Sequence, residues 1–173
     1  HLGVRRQRQM CIRDRKKISG KYELKDTFNI SFNDDEFTDV INLYLKNSNE
    51  FLGIKHNKNV EDYDILLTKN ESFSDEEYTL NIIDEEIKIN FADKSGLSYA
   101  LNSLFQLFIN AKIERSDFIS NYQIHDVPRF KYRGIHLDIS RNYYGPNKIK
   151  QLLDFMHYFK SVSYTHLTLP TNA

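Results

Sequence analysis

The segment over residues 126–141 constrains the fold more than any other part of the chain. Ile135, Leu137 and Ile139 alternate there with smaller or polar residues. Such alternation predicts a strand, and we expect a buried strand over residues 132–139. Pro128, just before it, marks a segment boundary.

A helix is predicted directly after this strand. Gly145-Pro146 opens it, because proline suits the first helical position, and it extends to about Lys160. Its apolar stripe comprises Ile149, Leu152, Leu153, Met156 and Phe159. Asp138 and Arg141 lie near the carboxyl end of the strand, where (β/α) barrels place their active sites. One strand and one helix are only the first unit of such a barrel.

Composition excludes several classes of function. Of the 173 residues, 24 are Lys or Arg and 24 are Asp or Glu, but five arginines fall within residues 1–15. The remainder holds 19 basic and 23 acidic residues, so we expect no basic face for nucleic acid. Cys11 is the only cysteine, which excludes an internal disulfide and a cysteine-rich metal site. No apolar run reaches transmembrane length.

Both ends differ from the sequence between them. Residues 1–15 are rich in arginine whereas the body prefers lysine, and residues 161–173 carry no charge apart from a possible His166. Both stretches resemble translated sequencing-adapter read-through at the ends of metagenomic reading frames. We therefore predict that both are artefacts and leave them out of the fold prediction. A nucleic-acid arm or a targeting peptide is the alternative for residues 1–15.

The body alternates strands and helices. Strands are predicted at 28–32 and 63–68, and a hairpin at 76–91 with its tip at 84–86. One helix should start at 33–36, with a capping side chain and acids in its first turn, and end near Gly53. A second should cover 94–110, and residues 119–124 are either a strand or a link. This order predicts a small α+β layer with helices on one face of a sheet.

Two motifs stand out, one in residues 126–141 and one in the helix predicted at 94–110. The string Asp126-x-Pro-Arg-Phe-x-Tyr-Arg-Gly-x-x-Leu-Asp-x-x-Arg141 resembles the entry to the catalytic barrel of glycoside hydrolase family 20, the β-N-acetylhexosaminidases. Gly96-Leu-x-Tyr-Ala-Leu-x-x-Leu-x-Gln-Leu107 resembles the last helix of its small N-terminal domain. The match covers roughly residues 20–160, and its early part is weak and topological.

The resemblance implies a fold, a reaction and a site. It implies retaining hydrolysis of terminal β-linked N-acetylhexosamine, in which the acetamido oxygen of the substrate attacks the anomeric carbon. The residue matching Arg141 would bind sugar hydroxyls, and Asp138 would fix the strand end or pair with an arginine. The aspartate–glutamate pair that performs acid/base catalysis is not in this sequence, so we assign no catalytic residue. We expect no metal and no cofactor, and the expected partner is an N-acetylhexosamine-containing glycan.

Each candidate residue also has a structural interpretation. Arg141 could be a surface ion-pair residue, and Asp138 is as compatible with a buried ion pair as with a site role. Arg129 and Arg133 are expected to anchor the domain junction. His136 is expected to be a core histidine and not a ligand. Tyr143 and Tyr144 could stack on a sugar, but packing near the turn is the simpler interpretation.

We therefore predict an α+β fold in four segments. Residues 16–125 form a small sheet-plus-helices domain, zincin-like as the family resemblance implies, and residues 126–160 form the first strand and helix of a truncated (β/α)8 TIM barrel. Residues 1–15 and 161–173 are the predicted artefacts. The 173 residues are expected to be an inactive N-terminal fragment of the enzyme.

Two alternatives remain open. One is the related family 84 of hyaluronidase-like and O-linked N-acetylglucosaminidases, which Tyr144-Gly145-Pro146 faintly resembles. The other is a non-catalytic binding or structural module formed by the small domain alone. Compartment and oligomeric state are not predicted.

Overall fold

A computed structural model describes residues 14–32, 35–58, 62–139 and 144–167. The chain divides into two compact units. Among the described residues, the larger unit ends at Pro128 and the smaller unit begins at Arg129.

Seven of the described strands form one mixed sheet in the larger unit. They are β1 (Asp14–Glu23), β2 (Thr27–Ser31), β3 (Lys55–Lys58), β4 (Ile65–Lys69), β5 (Tyr78–Ile83), β6 (Glu86–Phe91) and β7 (Phe118–Asp126). Their order across the sheet is β1-β7-β5-β6-β4-β2-β3. Pairing is antiparallel from β1 to β6 and parallel from β6 through β4 and β2 to β3.

Helix α1 (Thr38–Asn47) follows a short 3-10 turn at Asp35–Phe37 and continues into a π-helical turn at Ser48–Leu52. Gly53 ends this segment in the left-handed region, with φ of 76°, as the sequence predicts. The expected capping side chain is not seen. Phe37 is the N-cap residue and makes no side-chain cap, while Asn33 and Asp34 lie outside the described residues.

Helix α2 (Lys94–Ile113) is buried on nearly every side. Its N-cap residue Asp93 accepts a hydrogen bond from the backbone of Gly96 at 2.8 Å and another from the backbone of Glu76 at 3.0 Å. These bonds satisfy donors at the helix start and attach the helix to the turn before β5. Residue 96 lies so close to this turn that a Cβ there would stand 2.7 Å from the carbonyl oxygen of Glu77.

One apolar core joins the helices to the sheet. Alternate side chains of β5 and β6 are fully buried and pack with the inner side chains of α1 and α2. Phe28 stacks between Tyr22 and Phe108, with ring centroids 6.3 and 5.3 Å away. The α+β class, with helices covering one face of a sheet, is therefore confirmed.

Strand β7 resolves the alternative left open at residues 119–124. It lies between β1 and β5 near the middle of the sheet's antiparallel half. Its pairing with β1 is interrupted between Lys17 and Lys21, where buried Asn121 donates a hydrogen bond to the Ser19 carbonyl oxygen at 3.2 Å. Gly20 adopts a φ of 111° at this bulge.

The smaller unit contains strand β8 (Gly134–Asp138), helix α3 (Gly145–Tyr158) and strand β9 (Ser163–Leu167). Strands β8 and β9 pair in parallel, and Pro146 lies in the first turn of α3 as predicted. The expectation of a buried strand is wrong here, because Ile135 and Leu137 are only half-buried. Within α3, Met156 is buried but Leu153 is exposed.

Both predicted read-through stretches contribute to sheets. Strand β1 begins at Asp14, and β9 lies within residues 161–173. The origin of these stretches stays a prediction. No helix among the described residues has the length and apolar character needed to cross a membrane.

Candidate functional site

The candidate site lies at the carboxyl ends of β8 and β9. Their register pairs Gly134 with Ser163 at one end and Asp138 with Leu167 at the other. Parallel strands bring their carboxyl ends to the same sheet edge, with helix α3 as the connection between them. Ligands of parallel α/β structures bind at this edge.

Asp138 is the last residue of β8 and is half-buried. Its side chain takes part in an interaction within the protein. A carboxylate in this position offers only acceptors, so it can receive hydrogen bonds from a sugar hydroxyl or from a guanidinium group. The structure therefore leaves both roles considered for Asp138, substrate contact and ion pairing, chemically available.

Arg141 lies outside the described residues, as do residues 140, 142 and 143. Its assignment as a substrate-binding residue stays a prediction. Tyr144 precedes α3 directly and is exposed, so it does not form the packed turn that the sequence favours for it.

Arg133 organises the opposite, amino end of the strand pair. Its Nε donates to the Lys160 carbonyl oxygen at 2.8 Å, and its Nη1 donates to the Phe130 carbonyl oxygen at 2.6 Å. Its own carbonyl oxygen accepts hydrogen bonds from the backbone of Val162 and Ser163. These contacts connect the start of β8 to the end of α3, so the side chain supports the site from within the smaller unit.

Lys160 itself is buried and adopts a φ of 57°. Its backbone donates to the His157 carbonyl oxygen, and the backbone of Ser161 donates to that of Met156. Such bonds close the carboxyl end of a helix. The sequence analysis used Lys160 only as a helix boundary and missed this role, since nothing in the local pattern signals a left-handed lysine.

His136 is exposed on β8, so the expectation of a core histidine is wrong. His136 shares the exposed face of β8 with Gly134, whereas Ile135 and Leu137 lie on the half-buried face. Alternation alone separates the two faces but does not reveal which of them is covered. In the part of the chain that the structure describes, no group of three His, Cys, Asp or Glu side chains is arranged to hold a metal ion.

Taken together, the two units define a class of protein. One is a helix-backed mixed sheet, and the other is a strand–helix–strand element with an acidic residue at its carboxyl edge. This is the arrangement expected of an α+β domain placed before the opening of a parallel β/α enzyme domain.

The family models agree with this class. The model described as glycosyl hydrolase family 20, domain 2, matches residues 13–127, and that of the family 20 catalytic domain matches residues 130–169. The chain belongs to glycosyl hydrolase family 20. The resemblance inferred from the motif at 126–141 is thereby confirmed.

This chain covers only part of the length of each relative that it matches. The β-hexosaminidase of Vibrio vulnificus is 37% identical over 83 residues, which are 48% of this chain and 9% of the relative. The structure of an exo-β-N-acetylglucosaminidase from Vibrio harveyi in complex with N-acetylglucosamine matches with a TM-score of 0.78 and 19% identity, over 91% of this chain and 24% of that one. The second comparison shows the shared fold.

The fold extends beyond proteins labelled as family 20. The structure of CpGH84D matches with a TM-score of 0.74 and 17% identity, covering 91% of this chain and 30% of that chain. Architecture alone therefore does not separate families 20 and 84, and the family models do.

Proposed function

We propose that these residues belong to a β-N-acetylhexosaminidase that hydrolyses terminal, non-reducing β-linked N-acetyl-D-hexosamine residues. The match of the family 20 catalytic-domain model to residues 130–169 carries the proposal. Those residues form a parallel β/α/β element, the repeating unit of a TIM barrel. We accordingly propose that the strand pair opens a (β/α)8 barrel and that the larger unit supports it.

The proposed reaction retains configuration and uses the substrate's acetamido oxygen as nucleophile. Family 20 is an exception to the rule of two enzymic carboxylates acting as acid and nucleophile. An aspartate–glutamate pair would orient the acetamido group and transfer the proton, and we propose that this pair belongs to a later strand of the barrel. The chain by itself is therefore expected to be inactive.

Arg141 and Asp138 are the proposed substrate-binding residues. A guanidinium is permanently charged and presents a planar fork of donors, which suits two vicinal sugar hydroxyls. Asp138, at the adjacent strand end, would hold that guanidinium or accept from a hydroxyl directly. Support comes from the carboxyl-edge position of Asp138 and from the spacing of three residues to Arg141.

The test begins with the source DNA across the codons of Lys160 and Ser161. An uninterrupted frame that encodes further β/α units and an Asp-Glu pair should yield a protein that releases nitrophenol from 4-nitrophenyl N-acetyl-β-D-glucosaminide. The purified 173-residue chain should release none. Turnover by the short chain, or a long protein inert on both glucosaminide and galactosaminide substrates, contradicts the proposal.

In that long protein, Arg141→Ala should raise KM and lower kcat/KM by about 100-fold or more, because a site that loses its donors leaves sugar hydroxyls unpaired. Arg141→Lys should recover only part of this loss, since an ammonium lacks the planar fork. Arg129→Ala serves as the matched control. Equal effects at both arginines would assign Arg141 a general structural role.

Family 84 shares the fold, but the family 20 models match residues 13–127 and 130–169, so we propose family 20 chemistry. The two families differ in the adjacent carboxylates that orient and protonate the acetamido group. An Asp-Glu pair at a barrel strand end in the longer protein supports this chemistry, and a different acidic pair contradicts it.

A further inference from the structure

A buried polar cluster lies in the larger unit where α1, the π-helical turn and β3 meet. It consists of Tyr44 on α1, Ser48 at the start of the turn and His56 on the edge strand β3. The Ile54 backbone donates to the Ser48 carbonyl oxygen at 3.3 Å, which holds the start of β3 close to the turn. None of these residues belongs to the candidate site.

The polar atoms of the cluster are enclosed. Tyr44 is 5% exposed and Ser48 is fully buried. The Tyr44 hydroxyl, Ser48 Oγ and His56 Nε2 are each buried, and none makes a hydrogen bond of good geometry to another described residue, although the two hydroxyl groups are neighbours. A buried donor or acceptor without a partner destabilises a folded protein, so three of them together require an explanation.

Tyr44 adjoins both of the other side chains. Tyr44 and Ser48 are one helical turn apart and share a face of the helix. The Tyr44 ring meets the His56 ring edge-on, with centroids 5.5 Å apart, and Phe28 covers the other side of the imidazole at 6.0 Å. Burial raises the pKa of Tyr44, and the neighbouring Ser48 hydroxyl opposes that rise.

Their hydrogen-bonding capacities match those of a single water molecule. The two hydroxyl groups can each donate one hydrogen bond, and a neutral imidazole nitrogen can accept one. Burial lowers the pKa of His56 to about 4, so the ring is neutral near pH 7. A buried water typically makes about three hydrogen bonds to polar groups that are otherwise unsatisfied. The π-helical turn at Ser48–Leu52 is wider than an α-helical turn, so the packing around Ser48 is irregular.

We propose that Tyr44, Ser48 and His56 bind one internal water molecule that joins the edge strand β3 to the end of helix α1. The water accepts from both hydroxyl groups and donates to His56 Nε2. Strand β3 is short, polar and paired on one side by β2, so this bridge fixes an edge of the sheet that has little apolar burial of its own. The inference is independent of the proposed enzymatic function.

The test is a mutant cycle in the full chain. Tyr44→Phe should lower the folding equilibrium constant of the larger unit about tenfold, the ordinary loss for one hydrogen bond. Ser48→Ala should do the same, and the double variant should lose little more than either single variant, because both remove ligands of the same water. Tyr78→Phe calibrates the loss of a direct bond, since that hydroxyl lies 2.8 Å from Ser103 Oγ.

Water-oxygen magnetic relaxation dispersion supplies a direct measurement. The wild-type chain should contain one more long-lived internal water than the double variant. Neutral or stabilising single substitutions would mean that the atoms are truly unpaired, and they would overturn the proposal. A loss on Tyr44→Phe without any change in the count of long-lived waters would also overturn it, in favour of a direct bond from the tyrosine to Ser48 or His56.

Discussion

The larger and smaller units use the same local patterns but bury them to different extents. In the larger unit, α2 is enclosed almost all round, and alternate side chains of β5 and β6 are fully buried. In the smaller unit, Met156 is the buried residue of α3, while Tyr132 and Phe155 are 70% and 56% exposed. Amphipathic helices and alternating strands therefore form in both units, although only one of them closes a core.

This difference separates the formation of an element from its stability. Hydrophobic stabilisation is proportional to the apolar area removed from water, at about 25 cal/mol per Å². A unit in which more layers pack against each helix and strand buries more apolar area. We expect residues 132–160 to exchange amide hydrogens faster than residues 20–125 because opening the smaller unit exposes less apolar surface. Equal protection of β5 and β8 would contradict this expectation.

The largest expected effect on the free energy of unfolding comes from truncating one leucine side chain in each unit. Leu80→Ala removes a fully buried side chain from β5 and should cost about 3–4 kcal/mol in the free energy of unfolding. Leu153→Ala in α3 removes a side chain that is 41% exposed and should cost under about 1 kcal/mol. Urea unfolding followed by residue-resolved hydrogen exchange measures both losses. Similar losses for the two variants would contradict the proposed difference in burial between the units.

One glycine in each unit, Gly96 or Gly134, lies close to a backbone carbonyl oxygen of a neighbouring segment. Alanine normally stabilises a helix relative to glycine by about 1 kcal/mol. Gly96→Ala should instead destabilise the larger unit by about 2 kcal/mol, because its Cβ would meet the Glu77 carbonyl oxygen at 2.7 Å. Thermal unfolding shows the sign, and a stabilised variant would refute the clash.

Gly134→Ala is the counterpart in the smaller unit. Its Cβ would stand 2.9 Å from the Ser163 carbonyl oxygen, so the start of the β8–β9 pair should loosen. Hydrogen exchange should accelerate in β9 while β5 and β6 keep their protection, since the units are separate compact bodies. Loss of protection in both units would show that their stabilities are coupled.

His56 should make the larger unit sensitive to acid. Burial lowers its pKa to about 4, whereas the unfolded chain titrates near 6.5. Between these values the unfolded state binds more protons, so stability is full above about pH 6.5 and falls as the pH drops towards 4. We expect a loss on the order of 2 kcal/mol across this window. His56→Phe should flatten the profile of unfolding free energy against pH, and an unchanged profile would contradict this expectation.

The smallest effect is expected at Arg133. Arg133→Lys loses the fork that reaches the carbonyl oxygens of Phe130 and Lys160 and should cost about 1 kcal/mol, since the group is partly exposed. Amide exchange at Val162 and Ser163 should rise, because their donors bond to the residue-133 carbonyl oxygen. Arg129→Lys is the control. Equal amide exchange at Val162 and Ser163 in the two variants would show that the Arg133 side chain does not support this end of the strand pair.

Local chemistry was sufficient to predict most elements of the larger unit. The hairpin at β5 and β6, the long helix α2 and the glycine end at Gly53 follow from apolar periodicity and turn residues. The motif around Asp138 likewise predicted the family, which the family models confirm. These features depend on residues close together in the chain, so a sequence window contains the information that determines them.

Tertiary structure alone decided the remaining features. Strands β1 and β3 are polar and carry no clear alternation, and they form because β7 and β2 offer free edges to them. Asn121 reaches Ser19, and His56 packs on Tyr44, through contacts between segments that the chain brings together only on folding. The difference in burial between the two units was also decided by tertiary structure, because alternation predicts which face of β8 is apolar but not whether another layer covers it. The amino-acid sequence thus determined the elements and the family motif, while long-range packing determined the order of the sheet, the buried polar cluster and the exposure of α3.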